Sequence, residues 1–159
     1  MNAIFLDIDG VLNDQDIMTE KFDKGEIEIS LEKLKLLKKI MINTNSVIIL
    51  SSSWRFGLKK VNNSILPNTN FHKEFLDLFL KHDIKIYDIT GNSKGKRIDE
   101  IRQYLKNNKK IDNYIILDDE PLNDKHQIKT NFYDEGLTSS HVDLAICKLN
   151  KSKNKVRSY

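Results

Sequence analysis

Cysteine, proline and long apolar runs are scarce in this 159-residue chain, which has one cysteine and two prolines. A single cysteine, Cys147, excludes an internal disulfide and favours a reducing compartment, so we expect a cytoplasmic protein. Because Cys147 lies in an apolar, helix-like stretch, we expect its thiol to pack rather than to react. The first apolar run, residues 3–6, is too short for the apolar core of a signal peptide, and no later run approaches the roughly 20 residues of a membrane span.

Charged residues are abundant instead, and they are unevenly distributed. The chain is 31% charged and 39% hydrophobic, which is typical of a soluble globular protein. Its length suits one domain, which we expect over residues 1–150, followed by a basic tail over residues 151–159. The net charge is +3, with acidic residues concentrated in 14–28 and basic residues in 94–110. This polarisation either steers a polyanion to one side of the molecule or consists only of solvated helix faces.

Short apolar runs alternate with amphipathic segments along the chain. The apolar runs predict buried strands at residues 3–6, 46–50 and 114–117, and weaker patterns predict strands at 84–89 and 127–132. Helical spacing of apolar residues predicts helices over 31–41, 71–81, 94–107 and 137–150. The alternation predicts an α/β domain, a three-layer Rossmann-like fold with a mostly parallel sheet. Between these elements, residues 11–29 predict a long loop or a small hairpin, and residues 57–61 predict a helical turn.

Polar residues follow three of the predicted strands, at the sheet edge where α/β domains bind ligands. They are Asp7 and Asp9, the run 51–53 (SSS), and the pair 118–119 (DD). Residues two apart on a strand point the same way, so we expect the first two carboxylates to project together and repel each other. A bound Mg²⁺ would resolve that repulsion, whereas a solvated turn is the alternative for this short motif. Gly10 then lets the chain turn away sharply.

The segment DIDGVL, residues 7–12, resembles the first signature of the haloacid dehalogenase (HAD) superfamily of phosphatases. A serine after the second strand, a lysine before a helix in the segment KGKRI (94–98), and the pair 118–119 resemble the other three signatures in the same order. The segments SSSWR (51–55) and EGLT (135–138) also resemble small, cap-poor HAD domains of RNA-repair-associated proteins.

The resemblance implies a role for each signature residue. Asp7 would be the nucleophile that forms an aspartyl-phosphate, and Asp9 the general acid and base. Ser52, with Ser51 as second choice, would hold a phosphoryl oxygen, while Ser53 would cap the next turn.

The third signature would supply a positive charge, and the fourth would complete the set of metal ligands. Lys94, with Lys96 as second choice, would neutralise the nucleophile and the phosphoryl group, unless both are surface lysines. Arg55 would either grip a phosphate or form a surface ion pair. Trp54 is expected to pack, with stacking on a base as the alternative.

The resemblance assigns Mg²⁺ to Asp7, Asp118, the backbone carbonyl of Asp9 and, through water or a hydrogen bond, Asp119. It also places Gly10 in the substrate pocket.

In HAD enzymes that act on small substrates, a cap domain inserted at one of two points commonly covers the pocket. Here the two insertion segments are only about residues 11–29 and 56–93, so neither has room for a full cap domain. An open site favours a large substrate, such as a polynucleotide end or a phosphoprotein. The basic segment 94–110 favours nucleic acid and the acidic segment 14–28 opposes it. The resemblance therefore implies a Mg²⁺-dependent phosphomonoesterase. The expected substrate is a nucleic-acid or nucleotide end phosphate, and small metabolites or phosphoproteins are the alternative substrates. The alternative is a non-catalytic HAD-like module that binds nucleic acid.

Overall fold

The computed structural model, which describes residues 1–92 and 94–155, is built on a five-stranded parallel sheet. In chain order the strands are β1 (Asn2–Leu6), β2 (Ser46–Leu50), β3 (Leu58–Val61), β4 (Ser64–Pro67), β5 (Ile86–Ile89), β6 (Asn113–Asp118) and β7 (Gln127–Lys129). The helices are α1 (Gln15–Asp23), α2 (Leu31–Thr44), α3 (Asn70–Lys81), α4 (Arg97–Asn107) and α5 (Ser139–Lys155). The sheet order is β5-β2-β1-β6-β7, so β1 lies at the centre.

Strand β1 is apolar throughout its length because both of its faces are covered. Ile4 and Leu6 belong to the core under α2, α3 and α5, whereas Ala3 and Phe5 belong to the core under α4. All four side chains are fully buried. Helices on both faces of a parallel sheet confirm the predicted α/β, three-layer Rossmann-like fold.

Two helices begin where the sequence places a capping hydroxyl. Ser30 Oγ accepts a hydrogen bond from the Lys33 N–H at the start of α2, and Thr69 Oγ1 does the same for His72 at the start of α3. Helix α2 ends at Thr44 and is capped by Asn45, whose φ of 50° places it in the left-handed region. These local signals explain why both helices were predictable.

Two segments differ from the sequence-based expectation. Residues 11–29, predicted as a long loop or a small hairpin, contain the helix α1. None of the residues of α1 is buried, so the sequence has no apolar stripe there that would indicate a helix. Residues 57–61, predicted as a helical turn, instead contain the whole of β3, which pairs with β4 as an antiparallel hairpin. Only Leu58 of β3 is buried, so strand alternation is too weak to recognise.

Among the described residues, neither insertion forms a separate cap domain. The first contains α1, and the second contains the β3–β4 hairpin and α3, which packs on β4 and contributes Phe75 and Phe79 to the main core. The edge carrying the predicted site residues is therefore left uncovered by a second domain.

Helix α5 continues to Lys155, so the predicted basic tail begins as helix, and residues 156–159 lie outside the described part of the chain. Cys147 is exposed, so the prediction that its thiol packs is wrong. The helical period instead directs Ala145 and Leu149 inward.

No helix in the described ranges is long and apolar enough to cross a membrane. The cytoplasmic location stays a prediction.

Candidate active site

Three carboxylates meet at the carboxyl ends of β1 and β6. One carboxylate oxygen each from Asp7, Asp118 and Asp119 lies within 4.8 Å of the others. The Asp7 N–H donates to the Leu117 carbonyl at 2.9 Å, which fixes the first acid beside the last residues of β6. Asp7 is 4% exposed and Asp118 is fully buried. The parallel register therefore brings acids more than a hundred residues apart into one cluster.

Gly10 makes the approach of Asp119 possible. Its φ is +77°, and a Cβ atom at this position would lie 2.4 Å from Asp119 Cγ. The Gly10 carbonyl accepts from Thr130 Oγ1 at 2.6 Å, and its N–H donates to Asn13 Oδ1 at 2.8 Å. Because both backbone groups are used within the protein, Gly10 shapes the pocket through its missing side chain.

The cation in this cluster is Arg97, the first residue of α4. Its Nη1 lies 2.9 Å from Asp7 Oδ2 and 2.7 Å from Asp118 Oδ2. Lys94, which the signature favoured, is exposed, has a φ of +56° and donates its backbone N–H to Asn92 Oδ1. Lys96 is exposed at the start of the helix.

Sequence reasoning missed Arg97 although it belongs to the same KGKRI segment. The helical pattern of the sequence could have identified it. Arg97 directly precedes the buried Ile98 in the first turn of α4, and this end of the helix lies at the sheet edge that carries the acids.

Two buried serines follow β2. Ser52 Oγ accepts from the Trp54 N–H at 3.3 Å, and the Ser52 side chain is close enough to the Asp7 carboxyl to oppose the rise in its pKa. It therefore caps the 3₁₀ helix Ser53–Gly57, and the prediction that Ser53 is the cap is wrong. Ser51 Oγ is also buried and has no hydrogen-bond partner among the described residues. An unpaired buried hydroxyl is unusual and leaves a donor available to a ligand.

Arg55 stabilises the turn formed by Ser51 and Ser52, here called the serine turn, through hydrogen bonds to its backbone. Its Nη2 lies 2.6 Å from Glu100 Oε2, and its Nη1 donates to the carbonyls of Ser51 and Ser52 at 3.0 and 2.8 Å. The guanidinium is 6% exposed. The sequence-based alternatives for Arg55 were a phosphate contact and a surface ion pair. In the structure the ion pair with Glu100 is buried, and both terminal nitrogens of the guanidinium bond to groups of the protein.

Asp9 stands apart from the cluster of the other three acids. Its Oδ2 accepts from Trp54 Nε1 at 3.1 Å, and its Oδ1 accepts from Asn13 Nδ2 at 3.0 Å. Both oxygens of its side chain are thus positioned by neutral donors. The expected contribution of its backbone carbonyl to a metal site stays a prediction.

The four signature positions, now placed at one sheet edge, can be compared with known proteins. Residues 3–142 match the family model described as "HAD domain in Swiss Army Knife RNA repair proteins". The chain belongs to this HAD family. No curated protein and no solved structure gives a significant match. Membership supports a HAD-superfamily hydrolase, and HAD domains generally use Mg²⁺.

The acid cluster of this HAD domain suits a divalent cation. Three ionised carboxylates with one guanidinium leave two negative charges uncompensated, and all the donors are the oxygen ligands that Mg²⁺ prefers. Asp7, Asp118 and Asp119 would hold the ion. The excess of negative charge is therefore an independent reason, beside family membership, to expect a metal here.

Metal binding should be measurable as thermal stabilisation. At a Mg²⁺ concentration 100 times the dissociation constant, the expected gain is about 2.7 kcal/mol, or roughly 5–10 °C in Tm. Asp118→Ala should abolish the shift, whereas Asp23→Ala, at an exposed position on α1, should keep it. An unchanged Tm in the parent protein, or an equal shift in Asp118→Ala, would contradict the assignment.

Burial makes the nucleophile candidate a weak acid in the metal-free protein. It raises the pKa of Asp7 to about 7; the nearby Asp118 charge also raises it, while Arg97 and the Ser52 hydrogen bond oppose the shift. Burial likewise raises the pKa values of Asp118 and Asp119. The cluster therefore resists full ionisation until a cation joins it.

This shift predicts a pH-dependent stability. An unfolded aspartate titrates near about pH 4, so the folded metal-free protein binds an extra proton between about pH 4 and 7. Stability from this group is present below about pH 4 and is lost as the pH rises through about 7. Asp7→Asn should therefore raise stability at pH 8 by about 2 kcal/mol or more and have little effect near pH 4, measured by thermal unfolding in a chelator. An equal effect at both pH values would refute this.

Proposed function

We propose that this HAD domain is a Mg²⁺-dependent phosphomonoester hydrolase that works through an aspartyl-phosphate on Asp7. The observation that carries the proposal is the buried Asp7 carboxylate, which lies within 4.8 Å of the Asp118 carboxylate and 2.9 Å from Arg97 Nη1, with Ser52 close enough to influence its pKa. This arrangement combines a nucleophile with the positive and hydroxyl groups that a phosphoryl group needs.

In the first step an Asp7 oxygen attacks phosphorus, and the bond from phosphorus to the leaving-group oxygen breaks. Asp9 gives its proton to that oxygen. In the second step water attacks the phosphorus of the aspartyl-phosphate, Asp9 takes a proton from the water, and inorganic phosphate and the free Asp7 carboxylate are released. A Mg²⁺ ion bound by the acid cluster would supply charge against the phosphoryl oxygens.

The remaining residues divide into groups that touch the phosphoryl group and groups that support them. Ser51 Oγ is free among the described residues to donate to a phosphoryl oxygen, and Ser52 orients Asp7. Arg97 neutralises the nucleophile, the role that the signature gave to Lys94. Arg55 supports the serine turn from behind.

The substrate we favour is a nucleic-acid or nucleotide end phosphate. A cleft of about 810 Å³ is lined by Arg97, Lys96 and Arg102 and by the aromatic ring of Phe56, which is 57% exposed. Such a cleft is large enough for a nucleotide and offers both a stacking surface and positive charge. Asp99 and Glu120 also line it, so its charge is mixed. The RNA-repair context in the family's description points the same way.

A panel of phosphorylated compounds tests the proposal. Phosphate release should be measured with Mg²⁺ and with a chelator for 3′- and 5′-phosphorylated oligonucleotides, nucleotides, phosphopeptides and sugar phosphates. We expect Mg²⁺-dependent release that is fastest for the oligonucleotides. Fastest release from another member would overturn the substrate assignment alone. Salt-sensitive oligonucleotide binding without any release would instead support the non-catalytic module.

A further inference from the structure

The only tryptophan of the chain contacts the predicted general acid. Trp54 Nε1 donates to Asp9 Oδ2 at 3.1 Å, while Asn13 Nδ2 donates to Asp9 Oδ1 at 3.0 Å. An indole N–H can only donate, and it does so from a rigid ring. The two donors together restrict rotation of the Asp9 carboxyl group.

Trp54 is itself held by contacts that do not involve Asp9. Its ring centroid lies 5.1 Å from that of Phe71 and 5.2 Å from that of Phe75, and Phe75 is fully buried in the main core. Its backbone N–H is bonded to Ser52 Oγ at the start of the 3₁₀ helix. The indole N–H is therefore preorganised by the core and by the serine turn, and Asp9 receives it as a fixed donor.

We propose that Trp54 is a positioning residue that orients the Asp9 carboxyl towards the leaving-group oxygen; this inference rests on the proposed function. In the proposed mechanism Asp9 transfers a proton to the leaving group, and the hydrogen bond from the rigid indole fixes the rotation of the Asp9 carboxyl group for that transfer. The aromatic ring thus acts on the proton transfer and not on the attack at phosphorus.

This role predicts a dependence on the leaving group. An alkyl phosphate needs protonation of its leaving oxygen, whereas 4-nitrophenyl phosphate releases a stable anion and needs it far less. With Mg²⁺ present, Trp54→Phe should lower kcat/KM roughly tenfold or more for an alkyl phosphate and by no more than about threefold for 4-nitrophenyl phosphate.

Phe22→Leu is the matched control, because it removes an aromatic ring that is 73% exposed on α1 and leaves Trp54 and its packing unchanged. We expect it to retain the parent enzyme's ratio of the two kcat/KM values. An equal loss on both substrates in Trp54→Phe, or the same selective loss in Phe22→Leu, would overturn the positioning role while leaving the hydrolase assignment intact. A parent protein that hydrolyses neither substrate would remove the proposed function, and this inference with it.

A spectroscopic measurement decides the point even where Trp54→Phe does not fold. The chain has one indole N–H, so it gives one side-chain indole signal in a ¹H–¹⁵N spectrum. We expect Asp9→Ala to move that signal and to speed its exchange with solvent, whereas Asp119→Ala should change neither. An indole signal that is insensitive to Asp9→Ala would show that the hydrogen bond is not formed, and the inference would fail.

Discussion

Asp7→Asn should lower the hydrolysis of 4-nitrophenyl phosphate by about 10⁴-fold or more, because the proposed mechanism begins with attack by the Asp7 carboxylate. The amide is a far poorer nucleophile and cannot form the aspartyl-phosphate. We do not expect the neighbouring acids to replace it, since Asp118 is fully buried and Asp119 is packed against Gly10. The measurement is kcat at saturating Mg²⁺ and substrate.

Loss of activity in Asp7→Asn has to be separated from loss of structure. The variant should be folded and, at pH 8 without metal, more stable than the parent, because burial raises the pKa of the Asp7 carboxyl that it removes. Asp23→Asn, at an exposed position on α1, serves as the control and should keep parental activity. Near-parental turnover by a folded Asp7→Asn would rule out the nucleophile.

Arg97→Met should lower kcat by roughly 10²–10³-fold, whereas Lys94→Met should change it by no more than about threefold. Arg97 Nη1 reaches both Asp7 and Asp118, so its removal leaves two buried carboxylates facing each other without their cation. The Lys94 side chain is exposed. Both kcat values should be measured at saturating Mg²⁺, so that a weaker metal affinity does not enter the comparison.

The pair of variants also decides between the cation expected from the signature and the one placed by the structure. Arg97→Lys keeps the charge but not the planar group that spans the two acids, so we expect it to recover only part of the loss. A larger loss in Lys94→Met than in Arg97→Met would restore the assignment to Lys94.

The strands and the acids were predictable because each depends on a short local pattern. Strands buried on both faces give unbroken apolar runs, as at residues 3–6 and 114–117. The acids follow directly after these runs, so parallel pairing of β1 with β6 is enough to bring Asp7 and Asp118 together.

The rest depends on contacts that leave no local pattern. Arg55 pairs with Glu100, and Trp54 with Asp9, each across 45 residues. Arg97 pairs with the acids because the phase of α4, set by the packing of Ile98 and its helical neighbours, decides which side chain faces them. Sequence spacing alone could not predict which side chain of α4 faces the acids.

Direct detection of the covalent intermediate tests the mechanism most closely. Asp9→Asn should be mixed with 4-nitrophenyl phosphate and Mg²⁺, quenched in acid, digested and analysed by mass spectrometry, because loss of the base slows the second step. We expect the mass of one phosphoryl group on the peptide containing Asp7, absent without Mg²⁺ and absent when Asp7 is also replaced by Asn. Turnover with that peptide unmodified, or with the phosphoryl group on another residue, would contradict the mechanism.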